Sequence, residues 1–164
     1  MARFRYRMQS VLNIKLKMET QAKQEFAAAK MALDEEEEKL HALLARKEAY
    51  EAEARELLQE QIKVREVMEN RTAILKMEEF VKAQQLQVEL AAKQVEQARA
   101  RLQEVMMERK THETLKEKAF EDFLKEENRA ESKEIDQLTS YTYGQKRAKE
   151  AVEPGKAPGA EQEA

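Results

Sequence analysis

Apolar side chains recur along this chain at alternating intervals of three and four residues, first over 26–68 and then over 74–112. Ten of the thirteen positions in the first series are apolar, and nine of the twelve in the second. A seam kept for several heptads is typical of a coiled coil rather than of a helix on a globular surface. The first series is Phe26, Ala29, Leu33, Glu36, Leu40, Leu43, Lys47, Tyr50, Ala54, Leu57, Gln61, Val64 and Met68. The second is Ile74, Met77, Val81, Gln84, Val88, Ala91, Val95, Ala98, Leu102, Val105, Arg109 and His112.

The two seams fit each other as antiparallel partners in one chain. Apolar residues face apolar ones if the numbers of facing residues sum to 145, a register in which Met68 meets Met77. This register places the turn near 69–73. Asn70 suits the left-handed conformation that ends a helix, and Thr72 suits the cap that begins the next one.

Four polar seam residues are expected to set this register. Gln61 meets Gln84, and Glu36 meets Arg109. Sliding the pair by one heptad would bury the Glu36 carboxylate without its partner, which costs several kcal/mol. Buried polar residues fix the register of other coiled coils in the same way.

Residues that break helices are confined to the end of the chain, because no glycine or proline precedes Gly144. The sequence therefore predicts an all-α protein, a long two-helix antiparallel coiled-coil hairpin over 1–143. The alternative is one uninterrupted helix. Residues 144–164 are small and polar, carry all the glycines and prolines, and are predicted to be a disordered tail.

Composition excludes several classes of protein. Charged residues make up 38% and aromatic residues only 5%, which fills a narrow seam but not a globular core. The net charge is −3, so nothing in the overall charge points to nucleic acid. There is no cysteine, and no run of 18 apolar residues could span a membrane. The first residues lack the apolar block of a secretory signal.

No residues have the spacing of a catalytic, cofactor-binding or metal site. His112 is expected to pack in the seam and His41 to be solvated. The acidic run 34–38 winds around a helix, so its carboxylates cannot converge on one calcium ion. We expect a protein that is not an enzyme and binds no cofactor.

Apolar residues near both termini exceed what one seam needs, which is typical either of contact with another protein or of ordinary terminal packing. The N-terminal part also carries five basic residues before the first acidic residue, Glu19. They suit anionic lipid or an acidic protein, or simply solubility. They are Arg3, Arg5, Arg7, Lys15 and Lys17.

Two segments resemble the bacterial flagellar export protein family FliJ. Residues 4–12, Phe-Arg-Tyr-Arg-Met-Gln-Ser-Val-Leu, are similar to that family's aromatic-x-aromatic-x-Leu-Gln-x-Val-Leu start. Residues 127–136, Glu-Asn-Arg-Ala-Glu-Ser-Lys-Glu-Ile-Asp, are similar to its Asn-Arg-x-(Asp/Glu)-x-Lys-x-(Met/Leu)-Asp segment. Residues 108–110 and Leu115 fit its lysine-rich stretch before a leucine. The resemblance spans 1–143.

The resemblance implies a fold similar to the two terminal helices of the rotary ATPase γ stalk. It implies a protein that enters the hexameric flagellar export ATPase and promotes ring assembly and ATP hydrolysis. Its other partners would be the export gate FlhA and export chaperones. The place implied is the cytoplasmic face of the cell membrane at the flagellar base, with a role in motility and chemotaxis and at most peripheral membrane contact. The isolated chain would be a monomer.

The resemblance also assigns residues. Phe80 and Gln84 match an aromatic and a leucine position implicated in gate contact, with Gln84 departing from the family pattern. The terminal end would enter the ring, and its predicted contacts are Phe4, Tyr6, Met8, Val11, Leu12, Phe123, Ile135 and Leu138.

Three alternatives remain open from sequence. One is the related stalk protein of injectisome secretion. Another is a generic scaffold or filament-forming coiled coil. The third is a membrane-surface module that uses the basic N-terminus.

Overall fold

The computed structural model describes residues 3–59 and 61–152, and two long helices account for nearly all of them. Helix α1 runs over Gln9–Leu57 and helix α2 over Val64–Val152. Alanine, glutamate, lysine, leucine and glutamine dominate both segments, and these are strong helix formers. No strand occurs among the described residues, so the all-α two-helix class is confirmed.

The predicted phase of the seam is confirmed in both helices. Every predicted seam position over 26–57 and 74–112 is buried or half-buried. The buried apolar residues lie along this seam, with Leu12 and Ala22 in α1 and with Val81, Val95 and Val105 among those in α2. Burial of a narrow apolar stripe is what holds such a pair of helices together.

The predicted turn near 69–73 is wrong. The connection lies between Leu57 and Val64, and residues 69–73 are an internal part of α2. The Thr72 hydroxyl donates to the carbonyl of Met68, one helical turn earlier, instead of capping a helix. Three residues predicted to lie in the seam are exposed, Gln61 in the connection and Val64 and Met68 at the start of α2.

The predicted register is wrong as well, although its phase is right. Residues that form ion pairs across the hairpin have numbers that sum to between 123 and 128 instead of 145. The offset is 17 to 22 residues, or about three heptads. The largest sum belongs to Glu19 with Arg109, and the other pairs are Lys15 with Glu108 at 2.5 Å, Glu25 with Arg101 at 3.6 Å, and Lys47 with Glu78 at 3.8 Å.

Both errors have one physical cause. A heptad repeat looks the same after every seven residues, so apolar matching alone does not select one register. Charge matching does select one. The predicted register would set Glu19 against Glu126, whereas in the structure Glu19 pairs with Arg109, and Lys47 lies near Glu78.

Helix α2 also continues past the predicted start of the tail. It runs through Gly144 to Val152, so residues 144–152 are helical and not a disordered tail. Residues 153–164 lie outside the described residues. A Cβ added to Gly144 would meet nothing within 4 Å, so the helix passes this glycine without a close contact.

The described residues divide into two compact units. The hairpin unit comprises 8–113, which includes all of α1 and the first part of α2. The terminal unit comprises 3–7 together with 114–152.

Spin labels would test the register directly, because the chain has no native cysteine to compete for the label. We expect cysteines at Lys47 and Glu78, which are ion-paired in the structure, to give a short interlabel distance, about 10–20 Å. Arg99 lies 21 residues beyond Glu78. The 47/99 pair should therefore be about 30 Å apart or more along the helix. The reverse order of distances would contradict the observed register.

Candidate protein-binding surfaces

The terminal unit is built around an aromatic cluster. The ring of Phe4 lies 5.1 Å from that of Phe120, nearly edge to face, and 5.5 Å from that of Phe123. Such pairs add about 0.5–1.5 kcal/mol to the burial of their apolar area. Tyr6 is half-buried, and its hydroxyl is buried without a hydrogen-bond partner in the described part of the chain. The structure thus brings the predicted contact residues Phe4, Tyr6 and Phe123 into one unit.

Beyond this cluster no other described segment covers α2. Every residue over 128–151 is exposed. The predicted contacts Ile135 and Leu138 are 62% and 63% exposed, and Tyr141 and Tyr143 are exposed as well. Most helical stability in proteins comes from packing of an apolar face, and this segment packs no such face against the described residues. The segment therefore offers uncovered apolar side chains at a helical spacing that suits a partner surface.

The other predicted terminal contacts belong to the hairpin unit and have structural roles. Leu12 is only 4% exposed, and Val11 is half-buried. The carbonyl of exposed Met8 accepts a hydrogen bond from the backbone N–H of Leu12 at 3.1 Å, which begins α1. Leu12 is thus unavailable as a direct contact in this conformation.

A charged cluster crosses the seam of the hairpin unit near Glu19. Glu19 is almost fully buried and forms ion pairs with Arg109 and, at 3.1 Å, with Lys23. Arg109 also donates to Glu113 at 2.6 Å. Burial opposes ionisation of Glu19, but the hydrogen bond from Lys23 and the charge of Arg109 outweigh it, so its pKa lies below the ordinary value.

Two more polar contacts cross the seam. The Gln84 amide donates to the carbonyl of Glu36 at 3.0 Å and to its carboxylate at 2.5 Å. Buried Asn70 donates to the carbonyl of Tyr50 at 3.1 Å. The predicted partners Glu36–Arg109 and Gln61–Gln84 are therefore wrong, although Glu36, Gln84 and Arg109 all make polar contacts in the hairpin.

Glu19 and Asn70 are buried polar residues of the seam that apolar periodicity did not identify. A usable signal was present, because the residue numbers of opposite charges that pair across the two helices sum to a narrow range, 123 to 128. The predicted register was chosen from facing apolar residues, without the charge pairs.

The predicted gate residues are placed differently from each other. Phe80 is exposed, whereas Gln84 is turned into the seam by its contacts with Glu36. They do not form a continuous exposed surface. Phe80 remains the accessible member of the pair.

The histidines lie as expected, with His112 half-buried in the seam and His41 exposed. Among the described residues, no group of three or more histidine, cysteine or acidic side chains is arranged to hold a metal ion.

The basic residues near the N-terminus differ in their surroundings. Arg3, Arg5 and Arg7 are exposed, while Lys15 forms an ion pair with Glu108. This ion pair lowers the pKa of the Glu108 carboxyl, mainly through the hydrogen bond from Lys15. No helix in the described part of the chain has both the length and the apolar character to cross a bilayer.

Comparison with known proteins identifies the family to which this two-helix chain belongs. The family model described as flagellar FliJ protein matches residues 4–148. The chain therefore belongs to the flagellar FliJ protein family, whose members are non-enzymatic components of the flagellar type III export apparatus. The match covers both described units.

A solved structure shares the fold. It is described as a YscO homolog, CT670 from Chlamydia trachomatis, and superposes with a TM-score of 0.71 at 24% sequence identity. The match covers 90% of this chain and 99% of that chain. No curated protein sequence matches the chain significantly.

The buried charge at Glu19 should matter for stability. We expect Glu19→Gln to lower the free energy of unfolding by about 1–3 kcal/mol at neutral pH, because Arg109 loses the one of its two carboxylate partners that lies across the seam. Glu25→Gln removes an exposed cross-helix partner, that of Arg101, and should cost less than about 1 kcal/mol. Urea unfolding followed by circular dichroism compares the two variants.

The same cluster predicts a pH dependence. Because the pKa of Glu19 is lowered in the folded state, its stabilisation is present at neutral pH. It is lost as the pH falls below the ordinary carboxyl pKa of about 4.3 and through the lowered value. The Glu19→Gln variant should lose less stability than the parent in that range. Equal acid sensitivity of the two proteins would contradict this role.

Proposed function

We propose that this chain is the coiled-coil stalk of a flagellar type III export ATPase. It binds the ATPase hexamer through its terminal unit, promotes ring assembly and ATP hydrolysis by the ring, and does not itself hydrolyse ATP. Family membership supports the export apparatus, and the geometry of the terminal unit supports the choice of binding end.

The single observation that carries the choice is the uncovered helix over 128–151. It presents Ile135, Leu138 and Tyr141 with no covering residue in the described part of the chain, next along α2 to the Phe4 cluster. Uncovered apolar side chains of this kind mark protein contacts. Arg3, Arg5 and Arg7 add positive charge to the same unit.

Coupling to the ring requires a difference in contact free energy between its states. A ligand shifts an equilibrium only by its differential affinity for the two states. One helix presents different side chains in different directions, so it contacts the subunits of a ring unequally. That inequality is the physical means by which a non-enzymatic stalk could favour hydrolysis by particular subunits.

The gate and chaperone contacts belong to the same proposal. Phe80 in the hairpin unit is the proposed contact for the export gate FlhA, because it is exposed while Gln84 is engaged in the seam. Export chaperones would be further partners. Such a complex would lie at the cytoplasmic face of the membrane at the flagellar base, with the chain itself in peripheral contact at most.

Substitution of exposed residues tests the ATPase contact without disturbing the fold. We expect Ile135→Ser combined with Leu138→Ser to raise the concentration needed to stimulate the flagellar ATPase by about tenfold or more, since two apolar contacts are lost. Leu86→Ser with Leu90→Ser is the matched control, because these leucines are also exposed on α2 but lie in the hairpin unit. Hydrolysis is measured against added chain.

Helicity of both double variants should stay at the parent level, because none of the four side chains is buried. If the 135/138 variant stimulates the ATPase as well as the parent does, the terminal unit is not the binding end. A loss in the 86/90 variant alone would move the contact to the hairpin unit.

A second pair of variants tests the gate contact. We expect Phe80→Ser to weaken binding to the cytoplasmic part of FlhA by about tenfold, because an exposed aromatic anchor is lost. Leu86→Ser is the control, with a similar exposure of 56% against 54% for Phe80. Binding is measured by titration with labelled chain. Equal affinities of the parent and the Phe80 variant would exclude this assignment.

A further inference from the structure

The first described residues form an arm that lies against α2. Residues 3–7, which we call the N-terminal arm, precede α1 and belong to the terminal unit together with 114–152. Phe4 anchors the arm, because its ring lies 5.1 Å from that of Phe120 and 5.5 Å from that of Phe123. The arm therefore covers part of α2 that would otherwise be open to a partner.

The arm is attached to α2 through few contacts. Among the described residues, it forms no backbone hydrogen bond and no ion pair. Phe4 and Tyr6 are half-buried, but the Tyr6 hydroxyl is buried without a hydrogen-bond partner in the described part of the chain. Such a hydroxyl is more stable in water, and ordering a flexible segment also opposes docking. Detachment of the arm is therefore inexpensive.

Charge attracts the arm to α2 without locking it in place. The arm has three basic residues and no acidic one, whereas 114–127 has five acidic and three basic residues, a net charge of −2. Because no arginine of the arm forms an ion pair with a described residue, this attraction acts through solvent. It is screened by salt, over a distance of about 10 Å at 0.1 M.

The surface under the arm continues into the uncovered part of α2. Leu138 follows Phe120 by 18 residues, and Tyr141 follows Phe123 by the same number. Eighteen residues make five turns at about 3.6 residues per turn, so each of these pairs lies on one line along the helix. Phe120 stays 44% exposed even with the arm in place. We call this continuous surface the 120–141 face, and its apolar members are Phe120, Phe123, Leu124, Ile135, Leu138 and Tyr141.

We propose that the N-terminal arm is a self-inhibitory cover, which the export ATPase displaces when it binds the 120–141 face. In the free chain, Phe4 occupies the place beside Phe120 and Phe123 that an apolar side chain of the partner would take. A partner that follows the face from Leu138 toward Phe120 has to remove Phe4, because both cannot fill one space. Docking of the arm thus lowers the apparent affinity by the fraction of chains in which the arm is open.

The inhibitory role rests on the proposed function, because it regulates the same binding end. It also reverses the role that family resemblance implies for Phe4. If Phe4 contacted the ATPase directly, its substitution would weaken binding. If Phe4 holds a cover closed, its substitution frees Phe120 and Phe123 and strengthens binding.

Limited trypsin digestion measures docking of the arm without any component of the export apparatus. The arm offers three exposed arginines, and its cleavage rate follows the open fraction when opening is fast. We expect Phe4→Ser to speed this cleavage by about fivefold or more, because two ring contacts are lost. Tyr6→Phe should slow it by about threefold, because the unpartnered hydroxyl is removed. Mass spectrometry of the products gives the rates.

Cleavage after Arg147 is the internal control. This arginine is also exposed and lies on α2 beyond the 120–141 face, so its cleavage rate should be the same in the parent and in both variants. Phe4 and Tyr6 precede Gln9, where α1 begins, so both variants should retain parental helicity by circular dichroism.

The same two variants should shift stimulation of the flagellar ATPase in opposite directions. We expect Phe4→Ser to lower the concentration of chain that gives half-maximal stimulation by about threefold or more, because more chains have an open arm. Tyr6→Phe should raise that concentration by about threefold, because fewer do. Hydrolysis is measured against added full-length chain.

The outcomes separate this inference from the proposed function. Equal trypsin rates for the parent and Phe4→Ser would show that Phe4 does not hold the arm. A higher half-maximal concentration for Phe4→Ser would make Phe4 a direct contact and overturn the inhibitory role, while the ATPase stalk stands. If the parent chain gives no stimulation at all, the proposed function fails and the inhibitory role fails with it.

Discussion

The structure depends on polar contacts that cross an otherwise apolar seam. Apolar stripes cause α1 and α2 to pair, but a repeat of seven residues lets several registers bury similar amounts of apolar surface. Glu19 with Arg109 and Gln84 with Glu36 remove this degeneracy, because a slip by a heptad would separate buried Glu19 from the guanidinium across the seam and Glu36 from the Gln84 amide. Asn70, bound to the carbonyl of Tyr50, does the same close to the connection. Register, turn and the length of α2 left unpaired all follow from these contacts.

Because apolar stripes set the pairing of the helices and polar contacts set their register, the sequence could predict the first more readily than the second. Phase is a local property, readable from intervals of three and four, and it proved right over 26–57 and 74–112. The turn is not marked locally, because neither glycine nor proline occurs before Gly144. The position of the turn follows from the register that the charge pairs select. The register chosen from apolar matching placed the turn about ten residues too late in the chain. The helical continuation past Gly144 has a similar cause, since one glycine costs a helix only about 1 kcal/mol.

The predicted contact residues also divide into those that the register covers and those that it leaves exposed. Periodicity and family resemblance grouped Leu12 with Ile135 as terminal apolar residues. Only the register shows that Leu12 is covered in the hairpin unit, whereas Ile135 is exposed in the terminal unit. Sequence alone could find apolar excess but could not divide it into packed and uncovered parts. For Phe80 and Gln84 the structure likewise separates two residues that the family pattern joins.

The hairpin unit satisfies its own seam, so its folding needs no partner to cover that apolar stripe. What it leaves uncovered is then informative, because exposed apolar side chains weaken solubility and contribute nothing to the pairing of the helices. In the hairpin unit such residues concentrate around the connection, at Leu58, Val64, Met68 and Leu75. In the terminal unit they lie on the helix over 128–151, which no other described segment covers. A protein whose chemistry is limited to contact would place its contacts in such uncovered parts, where binding does not compete with folding.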